Sequence, residues 1–342
     1  MDESIVKEVL EKAAQPKERD YFADFGEKGY TPLRIVEENF KDISGKNFMG
    51  KIAFIDGGNA EISNGPNFSL QLFRIYYCIY HDKKRISNKK EEFYGLTSIG
   101  DNPDGLIYST KIFNQDNETF EYDLFDETLK EGLNKVKISK LGDVIRRFSE
   151  LKAAIEVIDH LEEGDIVVLD GSLEVTFNGE KKYFDKLYRK AIEKKVIILG
   201  FSKSTILTTK KGSSLTKTLF DLKPHGAWFY SSIVEVMNDN HKADIYFTKL
   251  HPQSNYIFRV DVFDSVEYDP EVIFNALYNL SKDPIFLGYP YGLVDADKFA
   301  RVSNQEKEIF KTHLKVKCGK DWEKIEALSR SQNAHNILDG KF

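Results

Sequence analysis

The sequence predicts an α/β protein in which helices pack on a mixed sheet. Two short apolar segments rich in β-branched residues, Lys51–Asp56 and Asp165–Asp170, have the composition of buried strands. Between them lies Ser139–Leu161, whose apolar residues recur along one helical stripe. Strands and helices that alternate in this way normally form a sheet with helices on its faces.

The first fifty residues are predicted to be a helical extension. Apolar residues recur with a helical period in Met1–Gln15, and Arg34–Ile43 is a second, shorter helix candidate. Residues 51–342 contain no Gly/Ser/Pro-rich linker and no repeat of fixed period. We therefore expect one compact domain there, with a peripheral β portion and a helical C-terminal segment.

The remaining elements follow from local patterns. Asn67–Tyr80 is long and aromatic, which predicts a strand, and the polar segment His81–Glu92 predicts an exposed hairpin tip before a return strand at Phe93–Thr97. Asn102–Asp126 has no clear pattern. Later strands are predicted at 195–200, 227–236, 243–250 and 255–263, and later helices at 182–194, 269–280, 291–316 and 322–338.

Composition narrows the class of protein. The chain has 342 residues, a net charge of −6 and two cysteines that form no zinc pattern. No apolar run approaches the roughly 18 residues of a membrane helix, so we expect no membrane association and a cytoplasmic, reduced protein. The acidic balance argues against non-specific DNA binding over the whole surface, but it permits a local basic groove.

Two predicted strands each end in an aspartate followed by glycine. Asp56 precedes Gly57 and Gly58, and Asp170 precedes Gly171. Carboxylates on neighbouring rigid elements are the hard oxygen ligands that a two-metal site needs. Aspartate before glycine is equally typical of ordinary turn chemistry, so the pattern alone leaves both interpretations open.

Two further acids complete a candidate constellation. Glu150 lies near the edge of the apolar stripe of the central helix, and Asp297 opens a late helix. Four clustered carboxylates repel one another unless cations neutralise them, which favours two Mn²⁺ or Mg²⁺ ions held by Asp56, Glu150, Asp170 and Asp297. Alternatively, Glu150 is a solvated helix residue and Asp297 an acid favoured by the helix dipole.

Cations and aromatic rings supply candidate contacts to a nucleic acid. Lys203 follows a predicted buried strand and is suited to neutralising phosphate, while Tyr289 and Tyr291 flank a proline where a ring can stack on a base or orient a phosphate. Alternatively, Lys203 is an ordinary surface lysine and the two tyrosines belong to a turn that only packs against the core.

The basic segment 81–92 is either a solvated loop or an arm that contacts DNA phosphates. The contacting residues would be Lys83, Lys84 and Arg85, together with Lys89 and Lys90.

These motifs, in this order, resemble the NurA nuclease family. The segments are IDGGN with Asp56, FSELKAA with Glu150, VVLDGSL with Asp170, GFSKS with Lys203, and GYPYGLVDAD at 288–297. The resemblance implies an RNase H-like core, a homodimer, Mn²⁺, and degradation of DNA from 5′ ends together with a hexameric HerA translocase. It also implies that Asp56, Glu150 and Asp170 bind metal and that Tyr289 lies near the DNA.

The chain departs from the family pattern at two positions. Gly58 replaces the serine that usually follows Asp-Gly in the first motif, and Asp297 stands where the family often carries histidine. Aspartate can still bind a hard cation, although imidazole suits softer ions, so the exchange can shift the preference between Mn²⁺ and Mg²⁺.

We therefore expect a metal-dependent deoxyribonuclease, acting as a 5′–3′ exonuclease and a single-strand endonuclease in DNA-end resection and recombinational repair. One alternative is a non-catalytic adaptor that docks on a translocase ring through its N-terminal helix. Another is an actin-like or sugar-kinase-like ATPase, for which the Gly57-Gly58 pair is thin support because no Ser, Thr or Lys cluster lies near it.

Overall fold

The computed structural model describes residues 2–14, 20–103, 105–115 and 118–332. Its helices are α1 (Glu3–Ala14), α2 (Leu141–Val157), α3 (Lys181–Lys194), α4 (Leu215–Leu222), α5 (Pro270–Asn279), α6 (Tyr291–Ala300), α7 (Asn304–Cys318) and α8 (Trp322–Gln332).

The first eight strands of the described residues precede α2. They are β1 (Ala23–Asp24), β2 (Tyr30–Pro32), β3 (Phe40–Asp42), β4 (Lys51–Gly65), β5 (Phe68–His81), β6 (Lys84–Asn102), β7 (Gly105–Phe113) and β8 (Thr119–Asp123). The later strands are β9 (Ile166–Asp170), β10 (Ile197–Ser202), β11 (Thr208–Thr209), β12 (Trp228–Tyr230), β13 (Val234–Val236), β14 (Ala243–Lys249) and β15 (Phe258–Phe263).

The chain divides into two compact units. The first comprises Met1–Phe48, Gly171–Leu173 and Leu199–Pro290. The second comprises Met49–Asp170, Glu174–Ile198 and Tyr291–Phe342. Residues 1–48 thus belong to the same compact unit as 199–290.

The second unit contains a mixed sheet with the strand order β9-β4-β5-β6-β7-β8. Strands β4 and β9 are parallel, while the pairs from β4 through β8 are antiparallel. Helices α2 and α6 both pack against β4 and β5. Because β4 and β5 are central strands, their apolar residues are buried on both faces, as the runs Ile52–Ile55 and Leu72–Phe73 illustrate.

The first unit contains an antiparallel array in the order β3-β12-β14-β15-β10. Two short pairs, β1 with β11 and β2 with β13, lie in the same unit. Its core is aromatic: Trp228 and Tyr230 are fully buried, and Phe40 packs edge-on against both rings. These contacts explain why one predicted helix is wrong. Arg34–Ile43 forms a 3₁₀ turn at Glu37–Asn39 followed by β3. The strand is favoured over a helix because it packs Phe40 into the aromatic core.

Strand lengths differ from the sequence-based expectation in two places. Strand β4 continues to Gly65, so Asp56 lies within a 15-residue strand and not at its end. The hairpin tip is only Asp82 and Lys83, both with positive φ, and the polar segment after it is part of β6. The two positive φ values are typical of the tight turn that joins long twisted strands.

The C-terminal region is helical, as expected, but it is divided. The predicted helix 291–316 is two helices, α6 and α7, separated at residues 301–303. The predicted end of the last helix, at 333–338, lies outside the described residues. No helix among the described residues is long and apolar enough to cross a membrane.

Candidate active site

Asp56 and Asp170 lie on neighbouring parallel strands of the second unit. Ile55 of β4 pairs in register with Leu169 of β9, so the following residue of each strand, Asp56 and Asp170, points to the same face. Asp56 is buried, with 4% of its surface exposed, and its Oδ1 accepts a hydrogen bond from the Gly57 backbone N–H at 2.8 Å. The sheet therefore places two carboxylates side by side.

The face that carries Asp56 is covered by α6. Phe54 and Gly58 share that face with Asp56, since side chains alternate along a strand. A Cβ atom at Gly58 would lie 2.2 Å from the backbone oxygen of Ala300, and one at Gly292 would lie 2.1 Å from the Phe54 ring. Glycine at both positions allows α6 to approach β4 closely.

Glu150 reaches the other face of β4 from α2. A Cβ atom at Gly57 would lie 2.7 Å from Glu150 Oε1, so this carboxylate occupies the space that a side chain at position 57 would need. Glu150 is 4% exposed. Burial raises the pKa of Glu150, the positive charges of Arg146 and Arg147 oppose that shift, and the negative charge of Asp170 adds to it. Asp170 and Glu150 thus lie within electrostatic range of each other.

Arg146 is the cation that contacts Glu150 most directly. Its Nη1 donates to Glu150 Oε1 at 3.2 Å and to the Gly57 backbone oxygen at 3.3 Å. The carboxylate of Glu150 raises the pKa of Arg146 against burial, and Asp56 and Asp170 raise it further. The candidate residues did not include Arg146, although its position four residues before Glu150 on a helix is the spacing of a side-chain ion pair.

A second ion pair holds the neighbouring arginine. Arg147 Nε donates to Glu180 Oε1 at 2.8 Å, and the other oxygen of Glu180 accepts from the backbone N–H groups of Thr176 and Phe177. Glu180 is fully buried. Nothing in the sequence marked Glu180 as part of this region, since it reads as an ordinary acid before α3.

By donor type, the carboxylates of Asp56, Glu150 and Asp170 fit a hard divalent cation, and the register of β4 and β9 brings two of them side by side. Their present arrangement does not form a ligand cluster: across residues 2–14, 20–103, 105–115 and 118–332, no group of three or more His, Cys, Asp or Glu side chains is placed to hold a metal ion. The Glu150 carboxylate is instead hydrogen-bonded to Arg146.

Helix α6 presents two aspartates with different environments. Asp297 is exposed. Asp295 is buried, and its Oδ2 accepts from Tyr80 Oη at 3.0 Å and from Arg85 Nη1 at 2.9 Å. Arg85, predicted to contact DNA, therefore contributes to a polar contact between β6 and α6.

The other cations of segment 81–92 fall into two groups. Lys89 contacts both oxygens of Glu156, at 2.7 and 2.8 Å, and Lys90 lies 3.3 Å from Glu92. Lys83 and Lys84, at the hairpin tip, are exposed and form no ion pair with any described residue. The charge available to a phosphate is thus concentrated at the tip.

Lys203 and Tyr289 belong to the first unit. Lys203 is exposed and follows β10. The Tyr289 ring packs edge-on against Phe201 and Phe258, each at a centroid distance of 5.5 Å. Tyr291, the first residue of α6, belongs to the second unit and is 41% exposed.

The turn after Asp170 is anchored within the first unit. Asp261, which is fully buried, accepts a hydrogen bond from the Leu173 backbone N–H at 3.1 Å. It also accepts from Arg259 Nε at 2.7 Å and lies 2.9 Å from His241 Nε2. Burial opposes ionisation, but the charge of Arg259 and the hydrogen bond with His241 lower the pKa of Asp261 to about 2. A buried, ionised aspartate thus fixes the Gly171–Leu173 turn.

Comparison with known proteins identifies the family. Residues 50–302 match the family model described as the NurA domain. The NurA nuclease from Sulfolobus solfataricus has a similar solved structure, with 16% sequence identity, a TM-score of 0.51, and coverage of 83% of this chain and 88% of that chain. Among curated proteins, no sequence matches.

Endonuclease V structures are more distant. The enzyme from Ciona intestinalis, in complex with a 24mer DNA, has 12% identity and a TM-score of 0.39, over 77% of this chain and 87% of that chain. The catalytic domain of human endonuclease V has 8% identity and a TM-score of 0.41, over 78% and 84%.

The predicted fold, an RNase H-like α/β core with a mixed sheet flanked by helices, is confirmed. The family model covers well over half of the sequence and includes the segments that carry Asp56, Glu150, Asp170 and Asp297. The chain belongs to the NurA family.

Proposed function

We propose that the protein is a metal-dependent deoxyribonuclease. The observation that carries this proposal is the in-register placement of Asp56 and Asp170 on adjacent parallel strands, inside a family match that spans residues 50–302. In this proposal residues 51–342 are the nuclease domain and residues 1–50 an extension to it.

Asp56, Glu150, Asp170 and Asp297 are the proposed metal ligands, for two Mn²⁺ or Mg²⁺ ions. When bound, the metal would supply an activated water and neutralise charge on the scissile phosphate. The chain itself would position Asp56 and Asp170 side by side on rigid strands, with Glu150 contributed by α2.

The remaining candidates have roles towards DNA. We propose that Lys203 neutralises phosphate and that Tyr289 lies near the scissile position. The Tyr289 ring is fixed by Phe201 and Phe258, which would give its hydroxyl a defined direction. Tyr291 and the tip residues Lys83 and Lys84 would contact the strand outside the reacting centre, together with Arg85.

A cleavage assay tests the activity. Labelled single- and double-stranded DNA is incubated with the protein and Mn²⁺, Mg²⁺ or EDTA, beside Asp56→Asn and the exposed-site control Asp101→Asn. Loss of one group that stabilises developing charge typically costs at least about 100-fold in rate, so we expect that loss in Asp56→Asn and none in Asp101→Asn. DNA that stays intact with every metal would refute the nuclease proposal.

Finer features rest on the family resemblance. We propose 5′–3′ exonuclease and single-strand endonuclease activity, a homodimer, action with a HerA-type hexameric ATPase in end resection, and a cytoplasmic location. Substrates labelled at the 5′ or the 3′ end distinguish the polarity. The order in which labelled nucleotides are released would reverse if digestion began at 3′ ends.

One observation supports a docking partner. Helix α1 exposes an apolar face that includes Ile5 at 54%, Val9 at 60% and Leu10 at 62% exposure. An exposed apolar stripe of this kind is typical of a protein contact. If DNA is never cleaved while a ring ATPase still binds, the adaptor alternative replaces the nuclease proposal.

A further inference from the structure

An aromatic groove lies between α7 and the sheet of the second unit. Its volume is about 310 Å³, within the usual range of ligand pockets, about 300 to 1,000 Å³. Its lining includes Leu70, Tyr94 and Phe113 from three adjacent strands, and Phe310 and Leu314 from α7. All of its lining residues belong to the second unit. One compact unit therefore builds a groove large enough for a ligand of small-molecule size.

The rings of this groove are arranged as a stacking platform. Tyr94 and Phe310 meet edge to face, with ring centroids 6.2 Å apart and ring planes at 77°. Phe113 is paired in register with Tyr94, and 37% of its surface is exposed. An accessible aromatic ring beside other rings is the feature on which proteins stack the bases of single strands.

Two cations flank these rings, one from the helix and one from the sheet. Lys317, on α7, lines the groove, and Lys111, on β7, places its Nζ 5.4 Å from the centroid of the Phe113 ring. Both lysines are exposed, and neither forms an ion pair with any other described residue. The segment 311–320 contains no acid and three further lysines: Lys311, Lys315 and Lys320. In a chain of net charge −6, this local excess of positive charge favours a polyanionic ligand.

The groove is on the sheet face that carries Asp56. Asp56 pairs in register with Tyr76 of β5. Leu72 of β5 pairs with Tyr94, which in turn pairs with Phe113. Tyr76 and Leu72 are an even number of residues apart on β5, so their side chains share one face, about 13 Å apart along the strand. About four nucleotides of a strand cover that distance, so the groove is an accessory site on the face of the proposed reacting centre.

We propose that this aromatic groove binds an unpaired base of single-stranded DNA, with Lys111 and Lys317 at the adjacent phosphates. The inference rests on the proposed action on DNA and deepens it by naming a subsite for the substrate strand. The base stacks on Phe113, and the pair of Tyr94 and Phe310 closes the groove around it. A base held in a duplex is not free to enter, so the groove favours single strands, and stacking imposes little sequence preference.

The charges distinguish this ligand from a protein segment. The apolar lining alone would suit an apolar peptide as well, but Lys111 and Lys317 have no carboxylate partner among the described residues and favour a polyanion.

The first test measures binding of fluorescently labelled oligo-dT and of a hairpin duplex by anisotropy, in EDTA so that no metal-dependent cleavage occurs. Phe113→Ala removes the stacking ring. Phe125→Ala is the matched control, because Phe125 is 56% exposed in the same unit and does not line the groove. Loss of one base–aromatic stack should weaken oligo-dT binding at least about fivefold in Phe113→Ala and change duplex binding by less than about twofold. Phe125→Ala should stay within about twofold of wild type for both ligands.

A pair of lysine variants tests the phosphate contacts. Each phosphate contact on a single strand contributes about 0.7 to the slope of the logarithm of affinity against the logarithm of salt. Replacing both Lys111 and Lys317 with glutamine should therefore reduce the slope for oligo-dT by up to about 1.4, whereas Phe113→Ala should leave it unchanged. The same replacement of Lys181 and Lys186, two exposed lysines of α3, is the control and should also leave the slope unchanged.

A third measurement uses the unaltered protein, in case Phe113→Ala folds poorly. Oligo-dT that carries one 5-iododeoxyuridine is irradiated with the protein, which crosslinks the base to an aromatic side chain stacked on it, and mass spectrometry identifies the site. The inference predicts a crosslink at Phe113 or Tyr94. Crosslinks found only outside the groove would refute it.

The outcomes separate this inference from the nuclease proposal. If wild type cleaves DNA, while Phe113→Ala binds oligo-dT as wild type does and no crosslink forms in the groove, the subsite alone is refuted. If Phe113→Ala leaves DNA binding unchanged but weakens binding of the ring ATPase, the groove is a protein contact, which also refutes the subsite alone. If wild type neither binds nor cleaves DNA, both proposals are refuted.

Discussion

At the scale of single residues, glycines decide how closely the helices approach β4. Gly57 leaves room for Glu150 on one face, and Gly58 leaves room for the end of α6 on the other. A serine at position 58, the residue that the family resemblance leads one to expect, would place its Cβ 2.2 Å from the backbone oxygen of Ala300. Because the clash is between Cβ and a backbone atom, a change of side-chain rotamer cannot relieve it. The departure from the family pattern therefore fits the close approach of α6 in this chain.

Gly58→Ser should destabilise the protein by about 2 to 3 kcal/mol, the usual cost of overpacking a filled site. Gly100→Ser is the control, because a Cβ there meets only Ile107 Cγ1 at 4.0 Å. Its effect should stay within about 0.5 kcal/mol, as for other substitutions that create no overpacking. Urea denaturation measures both variants. Equal stabilities would show that the segment at Ala300 yields easily.

The second residue-scale prediction concerns the anchor of the Gly171–Leu173 turn. The pKa of Asp261 is lowered from 3.8 to about 2, so the native state favours the ionised form. A lowered carboxyl pKa contributes stability that is present above the unfolded pKa and lost as pH falls through the folded one. Wild type should therefore lose about 2 kcal/mol of stability between roughly pH 4 and pH 2 through this group.

Asp261→Asn removes that pH-dependent contribution, so its unfolding free energy should depend less on pH in this range. It should also be less stable at neutral pH by about 3 kcal/mol, because Arg259 loses its buried counter-charge and the contact of Asp261 with His241 is altered. Asp264→Asn, at an exposed acid in the same unit, is the control. The account of Asp261 is wrong if both variants retain the wild-type pH profile.

At the scale of elements, one buried arginine joins β5, β6 and the start of α7. Arg74 Nη2 donates to Glu92 at 2.6 Å and to Glu306 at 2.8 Å, and Nη1 donates to the Arg301 backbone oxygen at 2.7 Å. Glu306 also completes a capping box with Ser303 at the beginning of α7. Arg74, followed by Ser303, lowers the pKa of Glu306 to about 2. The N-terminal turn of α7 is thus fastened to the sheet.

Arg74→Gln should release that turn. We expect a destabilisation of about 2 kcal/mol, the range for losing hydrogen bonds to charged groups whose partners remain partly solvated. Amide hydrogen exchange should accelerate in the first turn of α7 and less in α2. Lys90→Gln removes the other cation beside Glu92 and serves as the control. Unchanged exchange in α7 would mean that the capping box suffices.

Local sequence patterns predicted which helices and strands form more accurately than they predicted the residues at which those elements begin and end. The apolar stripe of α2 and the β-branched runs of β4 and β9 were sufficient, because those segments are buried. The helix predicted at 34–43 was wrong because pairing of β3 with β12 overrides local propensity. Asp56, Glu150 and Asp170 were chosen from sequence and lie within one unit. Local patterns did not reveal the contacts of Arg146 and Glu180. The contact of Arg146 depends on which face of α2 is buried, and Glu180 contacts a residue that is distant in the sequence.

At the scale of the whole molecule, the net charge of −6 means that the proposed binding of DNA requires a local basic region. The hairpin between β5 and β6 supplies one, but only its tip. Lys89 and Lys90 are engaged with Glu156 and Glu92, whereas Lys83 and Lys84 are exposed at the turn. A phosphate that binds at the tip displaces counter-ions without breaking an ion pair of the protein.

Binding to duplex DNA in EDTA, which prevents metal-dependent cleavage, should separate the two pairs of lysines. Each phosphate contact contributes about 0.9 to the slope of the logarithm of affinity against the logarithm of salt. Replacing both Lys83 and Lys84 with glutamine should therefore reduce the slope by up to about 2. The same replacement of Lys89 and Lys90 should reduce it less, because their charges are already neutralised by carboxylates. Equal reductions would show that DNA opens these ion pairs, and no reduction in either variant would place the DNA-binding surface elsewhere.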